Sequence, residues 1–378
     1  MDLPDVTVIV PNWNGRRHLE RCFESLSVLD YAARIRLLLV DNGSEDGSIR
    51  YVRRRFPGVE ILENRSNQGF AAACNRGARA ADTPLLAFLN NDMRVEPAWL
   101  TELVLGVASG PARCAGSLIL SWDGRRVNFA GGGMNFHGLG IQIGLDDTDL
   151  SAHRQPAETL FACGGAMAVE RELFLAAGGF DEHFFAYYED VDLGWRLWIL
   201  GERIRFVPSS VAYHHHSATS VRIDLHKLRL LQIRNPLQTI FKNYDDENLR
   251  RVLPAALLLT LRRTKYQLTL NEALYSLKPG GGQKRGPLAA LRVKLAARLN
   301  KARVSRAGLA DVLAINELLD DLPGLIARRR AVQDRRLRPD AEIIPLFREP
   351  FWPAEAASEY AGIQSELVRF LDLQEVLG

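Results

Sequence analysis

The sequence predicts an α/β fold, a mostly parallel sheet flanked by helices and followed by a helical C-terminal extension. Two observations carry this. Over the first hundred residues, short apolar runs alternate with segments of helical spacing, and wholly apolar strands belong to parallel sheets covered on both faces. Beyond Asp224 the chain turns basic and rich in Leu, Arg and Ala. The division falls at 1–243 for the α/β domain and 244–378 for the helical region, and 378 residues suffice for both.

The elements follow in order. Residues 6–10, VTVIV, form the first strand, closed by Pro11. Leu19, Cys22, Phe23 and Leu26 share one helical face and predict a helix over 16–29. Residues 35–40 make a second strand ending at Asp41, and Ser44 is placed to cap the helix carrying Ile49 and Val52. A third strand covers 59–62, a small-residue helix 68–81, and a fourth strand 85–89, which ends at Asn90-Asn91-Asp92. Glu96-Pro97 opens the next helix. From 114 to 168 glycine-rich stretches such as Gly131-Gly132-Gly133 predict antiparallel strands and a loop over the site. Residues 168–208 read helix, turn, helix, strand. Asn12, Asn14, Asp41 and the 90–92 triplet stand where strands end, and open α/β sheets bind ligands there. They are expected to converge on one crevice.

A net charge of +3 is too small to argue for a nucleic-acid partner. Cys22, Cys74, Cys114 and Cys163 form no C-x-x-C pair and read as reduced, buried and structural, as in a cytoplasmic protein. The opening MDLPDVTVIVP lacks the regions of a secretory peptide. The longest apolar run, 253–261, falls far short of the roughly 20 residues of a spanning helix. The helical region is expected to pack on the α/β domain. Homodimer pairing is one alternative use of it. Contact with the inner face of the cytoplasmic membrane, through 253–270 with Arg262, Arg263 and Lys265, is another. Residues 278–286 read as a flexible loop, and the basic run 328–336 as a solvated helix face.

Five groups carry chemistry. Asp92, at a strand end, suits a divalent cation such as Mg²⁺ or Mn²⁺, which takes one or two carboxylates plus phosphate oxygens; a turn aspartate is the plainer reading. Glu189 and Asp190 open a helix whose Trp195, Leu197 and Trp198 face the core, so one carboxylate can take a proton from an acceptor hydroxyl. In His214-His215-His216, alternate side chains of an extended segment leave His214 and His216 on one face, fit to ligate a metal. Asp41, before Asn42-Gly43-Ser44, can accept from the N3–H of a uracil or thymine. Asn67-Gln68-Gly69 precedes a helix start that can meet phosphate or ribose. No G-x-G-x-x-G or G-K-[ST] is present, which removes the dinucleotide-binding and P-loop readings.

These residues fall in segments that resemble glycosyltransferase family 2, of the GT-A fold, and within it the rhamnosyltransferase-like members. The segments are VTVIVPNWNG, LLLVDNGSEDGS, NRSNQGFAAACNRG, LLAFLNNDM, FACGGAMAVERELFLAAGGFDEHFFAYYEDVDLGWRL and VAYHHHSATS, in the family's order. RNPLQTIFKNY looks like the segment that follows the catalytic domain in that branch. The resemblance implies a nucleoside pocket lined by Pro11, Asn12 and Asn14, a pyrimidine read by Asp41, and nucleotide held by Asn67 and Gly69. Asn91 and Asp92 stand where the family has an acidic D-x-D, so Asp92 is the one charged ligand there, with His214 completing the metal site. Asp190, in the pair with Glu189, matches the catalytic base. Gly164 and Gly165 let backbone pass close to the donor sugar and diphosphate. The implied partners are a dTDP- or UDP-sugar, with dTDP-L-rhamnose the first choice, and a glycan or polyprenyl-linked glycan. A nucleotidyltransferase is the nearest rival, but its glycine-rich basic loop is missing after the first strand. A dead nucleotide- or sugar-binding scaffold is the other rival, disfavoured because clustered charge without use costs stability.

Overall fold

The computed structural model describes residues 2–215, 224–267 and 306–378 of the chain. Its first half alternates β1 (Val6–Asn12), α1 (Arg16–Leu26), β2 (Ile35–Asp41), α2 (Ser48–Arg55), β3 (Glu60–Glu63), α3 (Phe70–Ala80) and β4 (Leu85–Leu89). After β5 (Met93–Val95) and α4 (Trp99–Ala108) come β6 (Cys114–Ser121), β7 (Val127–Phe129), β8 (Gly132–Met134), β9 (Gly140–Gln142), β10 (Ala157–Glu158) and β11 (Ala166–Glu170). Then follow α5 (Arg171–Ala176), α6 (Glu189–Ile199), β12 (Ile204–His214), α7 (Leu225–Asn243) and α8 (Asp246–Gln267).

The main sheet runs β10-β12-β6-β11-β4-β1-β2-β3. β1, β2, β3 and β4 are mutually parallel, and β11 enters antiparallel between β4 and β6. Val6, Val8, Ile9 and Val10 of β1 are fully buried, as a strand covered on both faces requires. Register then decides the site. Asn12 pairs with Asp41, so the ends of β1 and β2 lie level. Leu89 pairs with Ala166, which sets Asn90 against Gly165. His214 pairs with Met93, which brings β12 beside Asp92.

Several expected details change. Ser44 does not cap α2, which starts at Ser48 behind Gly47, a residue at φ +82°. The Ser44 hydroxyl instead accepts from Asn14 N–H at 2.7 Å and from Asn12 Nδ2 at 3.1 Å, tying β1 to β2. The helix expected at Glu96-Pro97 starts at Trp99. Gly132 and Gly133 are strand rather than loop, paired in the two-stranded sheet β8-β9. The block 278–286 and His216 lie outside the described residues.

The largest correction concerns the basic run 328–336. Arg330 is exposed, but Arg329 is buried and others of the run are bonded to the fold. Arg329, on the helix Leu322–Gln333, is buried and donates to the carbonyls of Phe241 at 2.7 Å and Tyr244 at 2.6 Å. Arg335 reaches Ala176 O at 2.9 Å, and Arg336 reaches Asn243 O. Just beyond, Arg338 donates to Gly201 O at 2.6 Å and Glu202 O at 2.8 Å. Carbonyls at a helix end lack intrahelical partners and take cationic donors well. Arg229 adds a two-bond pair with fully buried Asp311, at 2.6 and 2.9 Å. One apolar cluster runs from Val6 to Leu377, so the C-terminal helices share the core of the sheet. Among the described residues, no helix is long and apolar enough to cross a membrane.

Candidate active site

The ends of β1, β2 and β4, the hairpin β8-β9 and the segment leading into α6 surround a cleft of about 960 Å³. Pro11, Asn12, Asn67, Gly69, Asn91, Gly165, Glu189 and Asp190 line it, so most of the expected residues meet there. Asp41 lies behind this wall. It is fully buried, and its carboxylate accepts from Asn12 Nδ2 at 2.7 Å and from Ser44 N–H at 2.8 Å. Pro11, Asn12, Trp13 and Asn42 line the cleft at this end. Asn91 Nδ2 donates to Asn12 Oδ1 at 2.7 Å, extending the network across β4. Asn14, at φ +52°, closes the adjoining turn by accepting from Glu45 N–H at 2.8 Å.

Gly69 lines the cleft and also serves the fold. Its φ is +90°, and a Cβ there would stand 2.4 Å from Phe185 O. That close approach is to the loop before α6, and Phe70 N–H donates to the same carbonyl at 2.7 Å. In this loop Phe185, Tyr187 and Tyr188 all have positive φ, between 63° and 73°. Such conformations are costly for bulky residues and persist only when surroundings enforce them. The enforcing residue is Asn235 of α7. Its buried amide donates to Phe184 O at 3.2 Å, Ala186 O at 3.0 Å and Tyr187 O at 2.8 Å.

Beyond the loop, three carboxylates open α6 and have separate fates. Asp192 turns away from the cleft, fully buried against Arg196 Nε at 2.8 Å, Lys242 Nζ at 2.9 Å and Asn243 Nδ2 at 3.0 Å. Asp190 is half-buried and accepts from Gly164 N–H at 3.0 Å and Val191 N–H at 2.9 Å. Burial holds its pKa above the usual aspartate range, with the two backbone donors pulling the other way. Gly164 thus holds the candidate base, and Gly165 packs against Asn90 and Met93. Glu189 is buried, with Oε2 accepting no hydrogen bond. Desolvation and the Asp190 charge push its pKa well above normal. Cys163 is on the cleft wall rather than buried in the core, and burial with Asp190, Glu189 and Asp92 nearby pushes its thiol up. The other three cysteines are free and buried.

A prediction follows for Glu189. A carboxyl with a raised folded pKa favours folding most at acid pH, and that contribution is lost as pH rises through the folded value. Glu189→Gln removes the ionisation. The variant should melt above wild type at pH 7–8, with the difference closing towards pH 4. Thermal melts across pH check this; a constant offset at every pH refutes the cause.

Asp92 is 4% exposed, and its Oδ1 accepts no hydrogen bond. His214 Nε2 stands 3.5 Å from that oxygen, and His215 N–H donates to Asp92 O at 3.0 Å. Among the described residues, no three His, Cys, Asp or Glu side chains group closely enough to hold a metal by themselves. An orphaned buried carboxylate oxygen beside an imidazole suits a divalent cation whose other ligands come from a diphosphate and water.

Sequence reasoning missed Asn235, Cys163, the 140–147 segment, and Glu349 and Trp352 of the helical region, all but Asn235 on the cleft wall. The cleft-facing signals existed only as a cysteine read as structural, glycines and aromatics, whose partners are distant in sequence.

Comparison with known proteins gives a consistent result. The model of "Glycosyl transferase family 2" matches residues 7–176. The N-acetylglucosaminyl-diphospho-decaprenol L-rhamnosyltransferase of Mycobacterium tuberculosis is 31% identical over 240 residues, 57% of this chain and 77% of that protein. The pre-mycofactocin glycosyltransferase of the same organism is 30% identical over 219 residues, 56% of this chain and 43% of that one. The crystal structure of GalNAc-T7 with UDP, GalNAc and Mn²⁺ shares the fold at a TM-score of 0.54 and 18% identity, covering 85% of this chain and 58% of that one. On the strength of the similarity across three quarters of the rhamnosyltransferase, with the family pattern over the sheet and the shared α/β architecture, this chain belongs to glycosyl transferase family 2.

Proposed function

We propose that this glycosyltransferase is inverting and metal-dependent, with Asp190 as the base that activates an acceptor hydroxyl. The observation that carries the reading is the Asp190 carboxylate, fixed by two backbone donors on the wall of the cleft. Its raised pKa improves it as a proton acceptor near neutral pH. Asp190 takes the hydroxyl proton, the acceptor oxygen bonds to the anomeric carbon, and the bond to the diphosphate oxygen breaks on the opposite face. One displacement inverts the centre and needs no covalent enzyme intermediate. A divalent cation, Mg²⁺ or Mn²⁺ held by Asp92 and His214, supplies charge neutralisation for the departing diphosphate. Asn67 and Asn91, on the cleft wall, offer amide groups to the nucleotide, with Pro11 and Asn12 shaping the nucleoside pocket.

The donor of choice is dTDP-L-rhamnose, supported by the likeness to a protein named for L-rhamnosyl transfer. A UDP-hexose is the second choice. The acceptor is a glycan or a polyprenyl-linked glycan, and the place of action the cytoplasm, with the inner face of the cytoplasmic membrane as the alternative. The test is a thermal-shift panel of UDP, dTDP, GDP and CDP with Mn²⁺, comparing wild type with Asp92→Ala. A pyrimidine nucleotide at about 100 times its Kd stabilises by about 2.7 kcal/mol. That shift should need both Mn²⁺ and Asp92. Equal stabilisation of Asp92→Ala, or of wild type in EDTA, overturns the metal assignment.

A further inference from the structure

We propose that the turn 348–352 of the helical region builds an acceptor-sugar subsite, with Trp352 as a platform for the apolar face of a pyranose and Glu349 as acceptor for its hydroxyls. The inference rests on the reading of Asp190 as the base. Glu349 and Trp352 line the same cleft as Asp190, although more than 150 residues separate them in sequence.

The backbone of this turn is fixed from several sides. Pro350 O accepts from Phe136 N–H at 2.8 Å, and Trp352 O accepts from Asn135 Nδ2 at 2.9 Å. Phe351 O accepts from Gln364 Nε2 at 2.6 Å, and Trp352 N–H donates to Glu349 O at 3.1 Å. Gly133 permits the contact, since a Cβ there would stand 2.5 Å from Phe347 O. On this anchored backbone the Trp352 side chain remains 45% exposed. A large aromatic held rigidly at the edge of a polar cleft is a preformed flat surface.

Its position selects the acceptor end. Asn135, which holds Trp352 O, also accepts from Leu139 N–H at 2.9 Å through Oδ1. The next residue, Gly140, donates to Tyr188 Oη at 3.2 Å, two residues before Asp190. The turn is therefore braced to the base, while the asparagine amides lie at the ends of β1, β2 and β4. A pyranose has a C–H face and a rim of hydroxyls, which an indole and a carboxylate match.

Octyl glycosides of glucose, N-acetylglucosamine and rhamnose serve as probes, titrated calorimetrically into the full chain with Mn²⁺ and dTDP or UDP. At least one should bind wild type. Trp352→Ala should weaken it about tenfold, Trp352→Phe much less, and Glu349→Gln to an intermediate degree. Nucleotide affinity should stay within about twofold in all three. Unchanged glycoside affinity in Trp352→Ala and Glu349→Gln overturns the proposal. So does a parallel loss of nucleotide affinity, which gives the turn to the donor, or the absence of glycoside binding to wild type. Binding requires no turnover, so the result is readable even if Asp190 proves not to be the base.

Discussion

Asp190→Asn should lower turnover by about 10²–10⁴-fold, the usual worth of a general base, while nucleotide affinity in Mn²⁺ stays near wild type. The amide keeps the shape and can still accept from Gly164 N–H and Val191 N–H. It cannot take a proton. The pH profile separates this from simple damage. Because burial raises the Asp190 pKa, wild-type kcat/KM should fall as pH drops through a value above the ordinary aspartate range. The residual activity of Asp190→Asn should lack that acid limb. Wild-type-like turnover in the variant sinks the assignment.

Asn235→Ala should have the second largest effect, a turnover loss of about 10²-fold, the cost of a misplacement near 1 Å. The residue is placed by α7; its Nδ2 donates to three carbonyls of the loop before α6, and its Oδ1 accepts from Arg234 Nε at 3.1 Å. Without it, three carbonyls lose a donor, and the bonds from Phe70 N–H to Phe185 O and from Gly140 N–H to Tyr188 Oη are left to oppose the relaxation of Phe185, Tyr187 and Tyr188 from positive φ. Unsatisfied buried backbone groups cost about 1–3 kcal/mol each, so some loss of melting temperature accompanies the kinetic one. Asn235 is a positioning residue, and the distinguishing readout is kinetic. kcat should fall far more than donor affinity, and the acid limb set by Asp190 should shift. A variant that loses stability but keeps kcat and its pH profile refutes the role.

The sheet was the most legible part of the sequence. Strands such as Val6–Asn12 are mostly apolar and buried along their whole length, a pattern that few other environments produce. Asn12, Asn91, Glu189 and Asp190 were found because strand and helix ends face the crevice of an open sheet. Ser44 was misread as a helix cap: it is a turn residue locally, and only the fold shows that it joins two strands, as only the fold shows that Gly69 also meets Phe185. Asn235 lies in the RNPLQTIFKNY segment that resembles the family but drew no role from it, and Trp352 carries no local signal. An asparagine in a helix and a tryptophan in a turn acquire meaning from partners about 50 and 217 residues away.

Four arginines that seat the C-terminal helices, Arg329, Arg335, Arg336 and Arg338, bond to backbone oxygens of the α/β domain and α7, those of Ala176, Gly201, Glu202, Phe241, Asn243 and Tyr244. A carbonyl is the same whatever side chain its residue bears. Evolutionary drift across that surface therefore leaves these contacts intact, and only a change in the path of the main chain, an insertion or deletion, releases them.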